Sequence, residues 1–155
     1  MNIAIGNLII RNFISEDFNN LYKLLSDEKV MRYLEPVFSK EKTAEFLKTA
    51  GLTENPLIYS VCRNSNFIGY VIYHKYDLKS YEIGWVLAPD VWGTGIADSL
   101  TKMLIEYSKG KMDYLVIECL SEQIASKRIA LKNGFRYFRK IDNLEVYRLN
   151  LKCGS

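Results

Sequence analysis

Val91–Leu100 reads VWGTGIADSL, with Gly93, Gly95 and Ala97 at alternate positions. Directly behind them runs an apolar helical pattern: Leu100, Met103, Leu104 and Tyr107 recur on one face. A turn that receives a phosphate brings backbone N–H groups against the ligand with no side chain in the way. A plain tight connection between a strand and a helix has the same composition. The surrounding chain has to decide between them.

On the N-terminal side, Tyr81–Leu87 has the aromatic and β-branched content of a strand, reached through a turn at Asp77–Ser80. Before it, Leu57–Arg63 and Phe67–Tyr76 form a predicted hairpin around Asn64-Ser65-Asn66. Still earlier, Asn7–Arg11 is the first strand-like run. Ser15 offers an N-cap to a helix carrying Phe18, Leu21, Tyr22 and Leu25. A short helix is expected over Glu28–Leu34, stopped by Pro36. Another, capped by Ser39 and closed by Gly51, carries Thr43, Phe46, Leu47 and Ala50. On the C-terminal side, Tyr114–Cys119 is a nearly continuous apolar strand, which suggests burial on both faces. A helix from about Glu122 to Asn133 ends at Gly134. Phe135–Ile141 and Glu145–Leu151 make a second hairpin around Asp142-Asn143-Leu144. Helices interspersed with hairpins, plus one β–α–β crossover from Tyr81 to Cys119, predict a mixed sheet flanked by helices: an α+β (α/β mixed) domain.

The 155 residues suit one domain, taken as residues 1–153, with Gly154-Ser155 read as an expression remnant. Apolar residues at 48% and charged ones at 25% mark a folded, soluble chain rather than a disordered one. A net charge of +3, with no basic run longer than two, argues against a nucleic-acid partner. No apolar run approaches the roughly 18 residues of a membrane span, and the N-terminus lacks a signal layout, so no membrane association and a cytoplasmic location are expected. Cys62, Cys119 and Cys153 are far apart, and His74 is the one histidine; no metal-ligand spacing can be assembled from them, and buried or incidental thiols in a reducing compartment are expected.

Three ligands compete for the glycine turn. A dinucleotide fingerprint would need a third glycine where Asp98 stands and would turn directly off the strand, whereas Ala88–Trp92 intervene. Glu118 would be its ribose-binding acid. A nucleotide P-loop fails because no Gly-Lys-Ser/Thr follows. A coenzyme A diphosphate cradle needs consecutive N–H groups in one concavity and then a helix, and this the stretch supplies.

Taken together, IGWVLAPDVWGTGIADSL and SEQIASKRIALKNGF resemble the GNAT family of acetyl-CoA-dependent N-acetyltransferases, and within it the branch holding the ribosomal-protein N-terminal acetyltransferases. The resemblance spans essentially the whole chain. It implies a central mixed, twisted sheet of about six or seven strands with four or five helices. Two neighbouring parallel strands, Tyr81–Leu87 and Tyr114–Cys119, would splay to admit the pantetheine arm. It further implies acetyl-CoA as cosubstrate, its diphosphate collared by Trp92, Gly93, Thr94, Gly95, Ile96, Ala97 and Asp98. Trp92 stands where the wider family has Gln or Arg. Backbone groups of Val86 and Leu87 would meet the pantetheine amides and the acetyl oxygen, with Gln123 and Ser126 near the arm. Gln123 replaces a customary Asn. Ala130 occupies the position of a tyrosine that serves many members as general acid, so no acid is nominated.

Strand alternation puts Glu82, Gly84 and Val86 on one face, opposite Tyr81, Ile83, Trp85 and Leu87. A carboxylate inside a half-buried strand is unfavourable unless paired or open to a cleft. Glu82 is therefore the candidate base for an incoming ammonium, with a solvated or salt-bridged glutamate as the alternative. Glu118 is the analogous acid on the partner strand. His74 shares a face with Ile68, Tyr70 and Ile72, where packing is the default role. Tyr33 and Glu35 lie in the family's variable segment; a helix-end surface is the default for each, a cationic-amine site the alternative. The expected reaction is direct attack by a small-molecule or peptide amine in a ternary complex, with a homodimer left open. A non-catalytic acyl-CoA-binding or sensing module on the same fold is the rival.

Overall fold

The computed structural model describes residues 1–152; Cys153 and Gly154-Ser155, and with them the expected domain end at Cys153, lie outside the described residues. The strands in chain order are β1 (Asn2–Ile5), β2 (Leu8–Arg11), β3 (Ile58–Arg63), β4 (Asn66–Lys75), β5 (Ser80–Leu87), β6 (Tyr114–Leu120), β7 (Arg136–Ile141) and β8 (Leu144–Asn150). The helices are α1 (Phe18–Leu25), α2 (Glu28–Met31), α3 (Lys40–Phe46), α4 (Ile96–Ser108) and α5 (Ile124–Lys132). The sheet order is β1-β2-β3-β4-β5-β6-β8-β7, mixed in orientation. It has eight strands where six or seven were expected. The extra one is β1, which pairs antiparallel with β2 across a two-residue turn at Gly6-Asn7. The chain forms two compact units, Met1–Tyr73 with Trp85–Thr94, and His74–Gly84 with Gly95 onward.

In the first unit, β1 to β4 pair antiparallel in turn, with tight turns joining β1 to β2 and β3 to β4 and the N-terminal helices inserted between β2 and β3. The apolar faces of the N-terminal helices bury Leu21, Leu24, Leu25, Val30 and Met31 with Phe13, Phe38, Tyr70 and Val86. The start of the helical segment departs from the expected cap. The Ser15 hydroxyl donates to Glu16, while the buried Asp17 carboxylate accepts from the Ile14 N–H at 2.9 Å. Asp17 also forms a two-pronged ion pair with Arg11, at 2.8 and 2.9 Å. Burial alone would raise the pKa of Asp17, but Arg11 and the Ile14 amide together hold it below the ordinary value. Ser39 caps α3 as expected, accepting from Lys42 N–H at 3.1 Å. Past Phe46 the helix widens into a π-type turn over Leu47–Gly51.

Gly69 governs how β4 meets β5. Its φ is +148°, and a Cβ there would lie 2.1 Å from the Val86 carbonyl oxygen and 2.9 Å from Leu87 Cα. The β3–β4 register shifts at this level, Val61 facing Gly69 and Cys62 facing Phe67, so that Ile68 is the extra residue of a bulge. Ala88 N–H then donates to the Ile68 carbonyl at 2.9 Å.

The second unit is built on one short parallel pairing. β5 and β6 are in register only over Ser80–Tyr114, Tyr81–Leu115 and Glu82–Val116, although the strands run on to Leu87 and Leu120. From β6 the sheet continues antiparallel into β8 and then β7. Leu115, Val116, Ile117 and Cys119 are all buried, as the apolar run predicts. Helix α5 is tied to this sheet by Glu145, which accepts from Ser121 and Tyr147 at 2.7 Å each and pairs with Lys127 at 3.2 Å.

Gly69→Ala is expected to lower stability by roughly 2 kcal/mol or more, because backbone rather than a mobile side chain opposes the new methyl group. Chemical denaturation of the variant against the parent measures it; an unchanged midpoint would show that β4 and β5 can separate freely here.

Candidate active site

The turn before α4 takes its shape from two left-handed residues. Gly93 has φ +73° and Gly95 has φ +84°, and an added Cβ at either would meet nothing within 4 Å. Beyond the removal of bulk expected from the sequence, both glycines supply a backbone conformation that other residues adopt at a cost of roughly 1–2 kcal/mol each. The Thr94 hydroxyl donates to the Val91 carbonyl. Trp92 donates its indole N–H to the Leu87 carbonyl at 2.9 Å, so that carbonyl is already satisfied. Gly95 is the N-cap of α4 and has no side chain to cap it; the first helical bond comes from Ser99 N–H. The amides of Ile96, Ala97 and Asp98 therefore belong to the free-donor end of a 13-residue helix, where an anion is stabilised.

The Asp98 carboxylate is committed elsewhere. Lys102 donates to it at 2.7 Å and Asn133 at 2.8 Å, with Lys132 at 3.3 Å. Lys102 first, then Asn133, hold its pKa down at about 2. Its main-chain amide is what remains for a ligand. Gln123 is likewise engaged: its Oε1 accepts from the Leu120 amide at 2.7 Å, closing the end of β6. Ser126 lies in the first turn of α5 and is half-buried. Ala130 is fully buried, so that position presents no hydroxyl. Val86 and Leu87 are buried at the end of β5.

Glu82 stands at the last paired residue of the β5–β6 register. His74 Nε2 lies 3.4 Å from its Oε1. The other ring nitrogen, Nδ1, is 3.0 Å from the Lys75 carbonyl. A carbonyl can only accept, so Nδ1 carries the hydrogen. The contact with Glu82 is then favourable when one proton lies between the two side chains, on Nε2 or on Oε1. With no proton there, a lone pair faces a carboxylate oxygen. Burial raises the pKa of Glu82, the negative charge of Glu118 raises it further, and His74 opposes both. Glu118 in turn accepts from the Tyr76 hydroxyl at 2.9 Å.

Sequence reading placed Glu82 and Glu118 but missed that His74 and Tyr76 are their partners. The signal was present in the hairpin. Tyr76 N–H donates to the Ser80 carbonyl, and equal steps back from that closing pair set His74 opposite Glu82. The N-terminal candidates take surface roles. Glu35 pairs with Lys42 at 2.7 Å, and Tyr33 packs under the Arg32 guanidinium at 5.0 Å.

The sequence and the fold are similar to those of known proteins. A family described as an acetyltransferase (GNAT) domain matches residues 7–136. The uncharacterized N-acetyltransferase YnaD of Bacillus subtilis (strain 168) is 31% identical over 148 residues, covering 90% of this chain and 87% of that protein. The solved acetyltransferase (GNAT family) of Bacillus anthracis matches with a TM-score of 0.88 and 26% identity, over 98% of this chain and 99% of that one. At the level of fold, RimL, the ribosomal L7/L12 alpha-N-protein acetyltransferase solved with coenzyme A, matches with a TM-score of 0.83 and 19% identity, over 97% and 98% of the two chains.

The carboxyl carbon of Glu82 should titrate above the ordinary glutamate range in a carbon-13 NMR experiment. Glu118→Gln removes a like charge and should move that titration to lower pH. His74→Gln removes the imidazole that opposes the rise and should move it to higher pH. A Glu82 signal indifferent to both changes would mean that the three groups do not act on one another.

Proposed function

The chain belongs to the GNAT family of acetyltransferases, and we propose that it is an N-acetyltransferase that uses acetyl-CoA and acts on a primary amine by direct attack in a ternary complex. The observation that carries this reading is Glu82, a carboxylate with a raised pKa that shares a proton position with His74. Acetyl-CoA supplies the acetyl group as a thioester. Its diphosphate fits the turn, where Gly93 and Gly95 leave the concave side without side chains and α4 offers the amides of Ile96, Ala97 and Asp98. Trp92 and Thr94 brace that turn through Leu87 and Val91. Backbone groups of Val86 and Leu87, with Gln123 and Ser126, are the proposed contacts for the pantetheine arm. Among these the Leu87 carbonyl is the least available, since Trp92 already donates to it.

An amine arrives as an ammonium and must lose a proton before its nitrogen can attack. The proton-free state of Glu82 and His74 is the unfavourable one, which gives the pair a drive to accept that proton, directly or through a water. The nitrogen–carbon bond then forms as the carbon–sulfur bond breaks. The departing thiolate takes its proton from solvent; a thiol with a reference pKa near 8.5 leaves without a dedicated acid. That fits the burial of Ala130. Cys119 is an unsuitable acyl carrier, because burial and then Glu145 push its thiol up to about 11. This favours direct transfer.

A small-molecule or peptide amine is the proposed partner, and neither nucleic acid nor a membrane is required; no helix among the described residues is long and apolar enough to cross a bilayer. The buried free thiols of Cys62 and Cys119 suit a reducing, cytoplasmic setting. One acetyltransferase domain over residues 1–153 is the proposed functional unit, and a homodimer remains compatible with it.

Release of free thiol from acetyl-CoA over a panel of amines is the direct test. Glu82→Gln should lower kcat on the order of 10²-fold or more while coenzyme affinity is kept. The rate should fall as pH drops through the raised Glu82 pKa, because protonated Glu82 can no longer accept. Full activity in Glu82→Gln would remove Glu82 as the base. Tight coenzyme binding without turnover on any amine would instead support an acyl-CoA-binding or sensing module.

A further inference from the structure

The strand register of the second unit lines up a row of side chains on one face of the sheet. His74 meets Glu82, Glu82 is opposite Val116, Val116 is opposite Arg148, and Arg148 is opposite Arg136. Register partners project to the same side, so all five share that face. The next row repeats the sense: Glu118, Val146 and Arg139. Each row is acidic toward β5 and β6, apolar in the middle, and basic toward β8 and β7. Val116 and Val146 are both buried. With neighbouring strands roughly 4.8 Å apart, the carboxylate and guanidinium positions of each row are separated by two strands, roughly 10 Å between Cα atoms.

The arginines are gathered but not neutralised. The Arg148 guanidinium sits between the rings of Tyr114 and Phe138, 4.2 and 3.9 Å from their centroids. Arg139 lies 5.3 Å from the centroid of the same Phe138 ring. Arg139 is also close enough to Tyr76 to counter the rise that burial and Glu118 impose on its hydroxyl, and it acts electrostatically on Asp77. Among the described residues, no carboxylate lies within 4.0 Å of Arg136, Arg139 or Arg148. In the same unit Lys102, Lys109, Lys127, Lys132 and Lys152 each hold an acidic partner, whereas Lys75, Lys79, Lys111, Arg128 and Lys140 hold none within 4.0 Å among the described residues. Flat rings immobilise a guanidinium and leave its N–H edge directed outward, the geometry that takes a carboxylate or phosphate.

From this we infer that the acceptor is a bipolar molecule, an amine that also carries a carboxylate or phosphate, with its amine at Glu82 and its anionic group on Arg148 and Arg139. This rests on the acetyltransferase reading and narrows its substrate class. A simple polyamine would meet like charges at the arginine end of the row. An amine with an anion some 8–10 Å away matches the spacing set by two strands.

The test compares C-terminally amidated dipeptides that differ only in the anion, glycyl-glutamate against glycyl-glutamine and, as the phosphate arm, glycyl-phosphoserine against glycyl-serine, with spermidine as the cation-only acceptor. The wild-type protein should favour the anionic member of at least one pair about tenfold or more in kcat/KM, with the pair identifying carboxylate or phosphate. That ratio should fall toward one in Arg148→Gln. Arg139→Gln, at an exposed position, should lower it in the same direction and guards against misfolding of the Arg148 variant. Preference for spermidine, or a ratio unchanged in both variants, overturns the inference. If no amine is turned over, the enzymatic reading fails on its own, and calorimetry with the two anionic amides in the presence of coenzyme A still decides the site. Binding that is lost in Arg148→Gln upholds it; absence of binding to the wild-type protein overturns it.

Discussion

Three residue pairs, Ser80–Tyr114, Tyr81–Leu115 and Glu82–Val116, hold β5 to β6. Everything polar in the second unit takes its side of the sheet from them. Side chains alternate along a strand, so a slip of one residue would turn Glu82 to the opposite face and bring Tyr81 in its place. Glu82 and His74, kept together by their own hairpin, would both lose Glu118. The apolar run Leu115–Ile117, buried on both faces, resists such a slip from one side. From the other, β8 is in register with β6 over its full length, from Tyr114–Asn150 to Leu120–Leu144. A short pairing is thus made specific by a long one beside it.

Glu82 also illustrates how a strand can carry a carboxylate without neutralising it. A guanidinium partner would have lowered its pKa and left it a poor base. Arg11 does this to Asp17, where the pair serves only the fold. Glu82 instead has an imidazole whose second nitrogen is fixed by a backbone carbonyl, and a second carboxylate within electrostatic reach. The first limits the partners to one shared proton. The second makes that proton harder to lose. Both effects come from neighbours placed by β-strand register rather than from loops.

Much of the fold was legible because its elements follow simple periods. The helices at Phe18, Lys40, Ile96 and Ile124 and the strands from Ile58 to Leu120 fall within a residue or two of expectation, and the parallel crossover is present. What was missed has identifiable causes. β1 was overlooked because Asn7 was absorbed into the first strand instead of being read with Gly6 as a hairpin turn. The Ser15 cap failed because Asp17, two residues on, accepts from the backbone while anchored by Arg11 at the end of the preceding strand, a partner that helical periodicity does not reveal. At the site, the motif residues were readable one by one. Their commitments were not: Gln123 to Leu120 and Trp92 to Leu87 depend on the exact path of a loop, and Asp98, beside its helical neighbour Lys102, meets Lys132 and Asn133 only through tertiary placement. The positive φ of Gly93 and Gly95 was also beyond reach, since sequence alone does not separate a need for space from a need for that conformation.

β7 ends the sheet, and all six of its residues are exposed. A bare strand margin of this kind invites a neighbouring molecule to zip on and start an aggregate. Here Arg136, Arg139 and Lys140 put like charges along it, and a bulge at Phe138 breaks its straightness. Two copies brought margin to margin would repel. The same guanidiniums that face the sheet surface therefore also act as colloidal guards, and a chain stripped of them would trade solubility for neutrality at its most adhesive border.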